Sequence, residues 1–164
     1  MHINVKNLID LNIEVKEKIS SLNKKNYMPK IIAVSKTFSL EFISPLIDYG
    51  HIDYGENKVQ EALEKWSKIK SINKAIQLHM IGKLQSNKVK QAVSIFDYIH
   101  SVDSVKLANK IANEQVKQNK KLKIFLQINV GEETQKSGVK LNEVNELCDH
   151  CKKINLDVIG LMCL

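Results

Sequence analysis

Apolar positions along this chain alternate between two periods. Residues 3–25 place Ile3, Leu8, Leu11, Val15, Ile19 and Leu22 among charged neighbours, the spacing of an amphipathic helix. Residues 30–35, built on Ile31, Ile32, Ala33 and Val34, read as a buried strand. Ser39 can cap a helix to about Tyr49, closed by Gly50. Further strands are predicted at 52–54, 75–81, 98–102, 122–130 and 156–164. Helices are predicted at 58–72, at 86–94, after a cap at Asp103 or Ser104, and at 141–153. In the helix at 58–72, Val59, Ala62, Leu63, Trp66 and Ile69 share one face. Residues 131–138 read as a polar loop.

Six alternations of strand and helix specify an α/β fold on a parallel sheet. The strand runs are apolar along their length, as expected when both faces are covered. Their repeat of roughly 25–30 residues is the spacing of a (β/α)8 TIM-type barrel, but a complete barrel needs about 200 residues or more. The pattern therefore predicts an incomplete (β/α)8 TIM-type barrel of about six βα units behind an N-terminal amphipathic helix. Residues 1–164 would form one domain. A doubly wound open sheet is the alternative, but no glycine-rich fingerprint follows the first strand. The chain stops inside the apolar segment 158–164, where a polar, exposed end is usual; this predicts a truncated barrel lacking its last βα units.

Composition narrows the function classes. Hydrophobic residues make up 43% of the 164 and charged residues 26%, ordinary for a globular domain. No run approaches the ~18 apolar residues of a membrane helix. Residues 1–6 lack a signal peptide's apolar stretch. Three cysteines, an odd number, argue against a disulfide framework and for a reducing cytoplasm. The net charge of +7 raises the reading of a basic RNA-binding module. The lysines are spread along the whole chain, however, without the basic-aromatic pattern that stacks bases. No Gly-x-Ser-x-Gly elbow and no phosphate-binding loop is present, which removes the commonest hydrolase and NTPase readings.

Lys36 is the first candidate for chemistry. It directly follows the apolar run 31–35. Burial at a strand end favours the neutral amine, a nucleophile towards aldehydes such as pyridoxal phosphate (PLP). The plainer reading is a solvated lysine at a strand end. Asn57, in Gly55-Glu56-Asn57 after the second strand, stands on the same rim of a parallel sheet. It offers a donor and an acceptor to a ligand, or it caps the next helix. His79 can serve as a proton shuttle or as a hydrogen-bonded core residue. Lys136, in the polar loop, can approach an anionic ligand or simply sit in solvent. Cys148-Asp149-His150-Cys151 has the look of a redox or zinc element. Yet no second cysteine pair completes a tetrahedral site, and both cysteines fall on a helical core face with Leu141, Val144, Leu147 and Ile154.

Several ordered blocks then carry a family resemblance: Ile32-Ala33-Val34-Ser35-Lys36-Thr37, Tyr54-Gly55-Glu56-Asn57-Lys58-Val59-Gln60-Glu61, and the stretch from His79-Met80-Ile81-Gly82 to Ser86-Asn87-Lys88. Ser101-Val102-Asp103, Gln127-Ile128-Asn129-Val130, Lys136-Ser137-Gly138 and Gly160-Leu161-Met162 continue the series. The chain resembles the pyridoxal phosphate homeostasis protein family, itself similar to the N-terminal barrel domain of alanine racemases. The resemblance spans nearly the whole chain. It implies PLP held as a Schiff base on Lys36, and a cytoplasmic role in PLP supply and amino-acid balance without established turnover. Lys36, Asn57 and Lys136 are the predicted cofactor-binding residues. The expected partners are PLP and PLP-dependent apoenzymes, for a monomer with no membrane or nucleic acid. An alanine-type racemase is the enzymatic alternative, but the second domain and tyrosine base of true racemases have no counterpart here. Phe38 stands where many members carry a second lysine. The family's phosphate cradle, and the arginine near the pyridine nitrogen, belong to the last two βα units. Their absence predicts weak or absent PLP binding and marginal stability for this chain.

Overall fold

In a computed structural model of the chain, which describes residues 1–22, 28–131 and 137–163, six strands line up in one parallel sheet in the order β1-β2-β3-β4-β5-β6. These are β1 (Ala33–Val34), β2 (Asp53–Glu56), β3 (Gln77–Met80), β4 (Tyr98–Val102), β5 (Lys123–Ile128) and β6 (Asp157–Cys163). The helices are α1 (Ile3–Ser21), α2 (Leu40–Asp48), α3 (Val59–Ile72), α4 (Val89–Ile95), α5 (Val105–Gln118) and α6 (Val144–Lys153). Consecutive helices pack on one another, α3 on α4, α4 on α5 and α5 on α6, so they cover one face of the sheet. Strictly sequential order with one helical face is the winding of a barrel. A doubly wound sheet would reverse its strand order and carry helices on both faces. The sheet is not closed: β1 and β6 are its two edges.

The core lies between sheet and helices. Tyr54, Leu78, Met80, Ile99, Ile124 and Leu126 point from the strands into it, and Trp66 and Ile111 meet them from α3 and α5. Helix α3 buries Val59, Ala62 and Trp66, with Leu63 and Ile69 partly buried beside them. Local signals end the helices where expected. Ser104 Oγ accepts from the Leu107 amide at the start of α5 (3.3 Å), and Gly50 turns the chain after α2 at φ +95°.

Three expectations need correction. The N-terminal helix buries Val5 and Leu8, while Ile3, Leu11 and Leu22 of the predicted apolar face are exposed, because α1 packs mainly on α2 among the helices. The strands are not apolar and covered throughout. β1 shortens to two residues with Val34 exposed, and β6 leaves Ile159 and Leu161 exposed, because each edge strand has one neighbour. The segment after Ser86 opens with a 3-10 turn at Ser86–Lys88, and α4 starts at Val89. Residues 23–25 of the predicted first helix, most of the 131–138 loop and Leu164 lie outside the described residues. Cys151 is buried and Cys148 half-buried on the core face of α6, and burial pushes the Cys151 thiol up to about 11.

Candidate functional site

In a parallel sheet all strands present their C-terminal ends on one rim. β1 delivers Ser35 and Lys36 there, β2 delivers Glu56 and Asn57, and β3 delivers Ile81, Gly82 and Lys83. The Val34–Gly55 register pair places Lys36 and Asn57 at matching steps beyond adjacent strands.

Lys36 is exposed, against the burial expected of a core-strand end. The cause is β1 itself, an edge strand of two residues with β2 as its only strand partner among the described residues. The residues flanking Lys36 are, by contrast, tightly held. Ser35 is buried; its amide donates to the Gly55 carbonyl (2.9 Å) and its hydroxyl to Glu56 Oε1 (2.7 Å). Glu56 is fully buried, and Oε1 also accepts from Lys65 Nζ (2.9 Å) and Trp66 Nε1 (2.9 Å). Thr37 has φ +68°, a left-handed conformation that β-branched residues rarely adopt. Phe38, next along, stacks on Phe42 with ring centroids 4.8 Å apart.

Asn57 is half-buried, and its Oδ1 is buried with no hydrogen-bond partner among the described residues. It does not cap α3: Lys58 occupies the cap position, without a side-chain cap bond. An orphaned amide oxygen on a functional rim is the kind of acceptor a ligand donor satisfies. Gly82 fixes this segment from the next strand. A Cβ on Gly82 would lie 2.4 Å from the Asn57 carbonyl oxygen and 2.8 Å from its Cα. Gly82→Ala should therefore displace Asn57 and cost about 1–3 kcal/mol. A lowered urea midpoint with shifted Asn57 side-chain amide resonances would check it. Gly82 also borders a hollow of about 250 Å³ lined by Lys83, Gln127, Asn129 and Ser137. Lys136, one residue before Ser137, lies outside the described residues.

The sheet face away from the helices carries a group of which the sequence singled out His79 alone. Asp53 on β2, His79 on β3 and His100 on β4 are all buried. His79 Nε2 is 3.0 Å from Asp53 Oδ1, and His79 Nδ1 is 2.9 Å from His100 Nε2. A carboxylate only accepts, so His79 donates from Nε2 and its Nδ1 accepts the His100 Nε2–H. The chain of donors thus runs from His100 through His79 to Asp53, with Lys30 Nζ 3.6 Å beyond. His79 stacks on Tyr98 and His100 on Phe125. Burial lowers the His79 pKa, partly opposed by Asp53. Burial and the neighbouring His79 lower that of His100 to about 4. His79 is thus a hydrogen-bonded core residue. Its partners lie 21 and 26 residues away in sequence, and no local pattern announces them.

This fold and rim match a known class. The family model of the alanine racemase N-terminal domain covers residues 9–164. The pyridoxal phosphate homeostasis protein of Pasteurella multocida is 31% identical over 159 residues, covering 96% of this chain and 68% of that protein. Its namesake from Haemophilus influenzae is 36% identical over 160 residues, covering 96% and 66%. PipY of Synechococcus elongatus, solved with PLP bound, superposes with a TM-score of 0.75 at 30% identity, covering 92% of this chain and 70% of that one. The chain belongs to the pyridoxal phosphate homeostasis protein family. It spans 58–70% of the length of such relatives. An alanine racemase of Clostridium difficile, at 17% identity and a TM-score of 0.66, shares the fold. Among the described residues, no helix is long and apolar enough to cross a membrane.

Proposed function

We propose that this chain binds PLP as a homeostasis protein, with Lys36 as the residue that holds the cofactor covalently as a Schiff base. The observation that carries this reading is the juxtaposition of an exposed amine at Lys36 with the orphaned, buried Oδ1 of Asn57 on the neighbouring strand end. When bound, PLP supplies an aldehyde that adds amines. Lys36 Nζ would attack that carbonyl carbon, and the carbonyl oxygen would leave as water with the two amine protons. Asn57 Oδ1 would accept from a cofactor hydroxyl. Lys136 is proposed as a further cofactor-binding residue.

Residues 1–164 would act as one PLP-binding domain. The protein would work in the cytoplasm as a monomer, buffering PLP and passing it to apoenzymes that need it. The names of its relatives, and the PLP-bound PipY structure at 30% identity, support this role.

Titrating the full chain with PLP tests the assignment. A new visible absorbance band should appear and saturate, and Lys36→Ala should lose it. Asn57→Ala should keep the band but need several-fold more PLP, the cost of one hydrogen bond at about 0.5–1.5 kcal/mol. A band that persists unchanged in Lys36→Ala would refute the role given to Lys36.

A further inference from the structure

Lys36 follows a strand too short to hold it. β1 contributes two residues and pairs with β2 alone in the sheet. Yet each polar group of Ser35, the residue before Lys36, is engaged. Its amide donates to Gly55, its hydroxyl donates to Glu56 Oε1, and its carbonyl accepts from Lys65 Nζ at 2.8 Å and from the Phe38 amide at 3.2 Å. Lys65 reaches across from α3 with only 12% of its side chain exposed, and the same ammonium meets Glu56 Oε1 at 2.9 Å.

Two features of this hub work against stability. Glu56 Oε2 is buried with no hydrogen-bond partner among the described residues, although the carboxylate is fully buried. Buried charges carry a desolvation cost, which an unpartnered oxygen leaves partly unmet. Thr37 holds φ +68°, a conformation that persists only where the surroundings enforce it. Both features flank the one amine on this rim that the PLP reading requires. A hub that only joined β1, β2 and α3 would have no need of a strained turn on the far side of Lys36.

We propose that Glu56 and Lys65 are positioning residues that clamp Ser35 and hold the strained Thr37 turn, and so aim the Lys36 amine into the rim. This rests on the PLP reading above. Both act on Lys36 through Ser35, Glu56 by its hydroxyl and Lys65 by its carbonyl. Relaxing the clamp would leave Lys36 chemically intact but spread over more orientations, at a cost in affinity and not in chemistry.

Three variants of the full chain test this: Glu56→Gln, Lys65→Met and Thr37→Gly. Each is incubated with graded PLP, reduced with borohydride, and assayed by peptide mass for the adduct at Lys36. Amide exchange at Phe38 is followed without PLP, and urea unfolding gives stability. The PLP concentration for half-maximal adduct should rise about tenfold in each, a loss of one decade in affinity. Phe38 exchange should accelerate by a similar factor. The discriminating variant is Thr37→Gly, in which glycine relieves the strained φ. Its urea midpoint should hold or rise while its adduct formation weakens, which a merely structural role would not produce. Should Glu56→Gln or Lys65→Met fail to fold, Thr37→Gly still decides. Wild-type dose curves and Phe38 exchange in the folded variants would overturn the clamp. Absence of a Lys36 adduct in the wild type would instead overturn the PLP reading and the clamp with it.

Discussion

Trp66→Ala should destabilise the protein by about 3–5 kcal/mol, the usual cost of emptying a buried aromatic site. Trp66 is fully buried on the inner face of α3, with the Tyr54 ring 4.7 Å away. Its indole N–H is also one of three donors on Glu56 Oε1. Alanine would remove the largest side chain of the core and one donor to a buried carboxylate. Small domains have only about 5–15 kcal/mol of stability in all, so much of the folded population would be lost on mild denaturation. Trp66→Phe separates the two contributions. It keeps most of the ring volume and should cost about 1.5–3 kcal/mol, the worth of a hydrogen bond to a charged group. Urea unfolding followed by far-UV circular dichroism measures both variants without relying on the lost tryptophan. Equal losses in the two would place the whole effect on the hydrogen bond.

Mild acid should weaken the fold before most carboxylates titrate. His100 is buried and its pKa is lowered to about 4, against an unfolded value near 6.5; His79 is lowered in the same direction. A base whose folded pKa is depressed stays neutral in the native state while the unfolded chain binds the proton. Stability from this source is therefore complete above pH 6.5 and falls as pH drops towards 4. Across that window His100 contributes on the order of 3 kcal/mol. The groups facing the pair are Asp53, Lys30 and Tyr98, with Lys123 over the Tyr98 ring. Asp53 accepts a hydrogen bond from His79 and restrains its shift, whereas among the described residues no carboxylate meets His100 in the same way, and the larger depression falls there. Urea midpoints at pH 7 and pH 5 should differ clearly, and His100→Gln should flatten the difference. A wild-type profile already flat over that range would contradict neutral, buried imidazoles.

The elements were legible in the sequence because periodicity is a local property. The helix at Val59–Ile72 and the strand at Tyr98–Val102 stand where the apolar pattern puts them. The parallel sheet followed from the alternation of strand and helix, and the barrel winding from the repeat length and the missing glycine-rich fingerprint. Long-range pairing was not legible. Glu56 reads as a neighbour of Asn57, yet its hub forms with Ser35, Lys65 and Trp66, which lie 21, 9 and 10 residues away. The His100–His79–Asp53 chain depends on parallel register across three strands. The burial expected for Lys36 failed for a related reason: a strand's depth is set by its neighbours in the sheet, and β1 has one. Asn57 was open between helix cap and ligand contact; the absence of a side-chain cap bond on α3 and the orphaned Oδ1 favour the second.

Reducing the PLP-treated full chain with borohydride and mapping the product by peptide mass puts the central claim to its most direct test. The pyridoxyl group should reside on Lys36 at low PLP, and Lys36→Ala should leave the chain essentially unlabelled at that concentration. Label scattered over surface lysines, equally in the wild type and in Lys36→Ala, would contradict it.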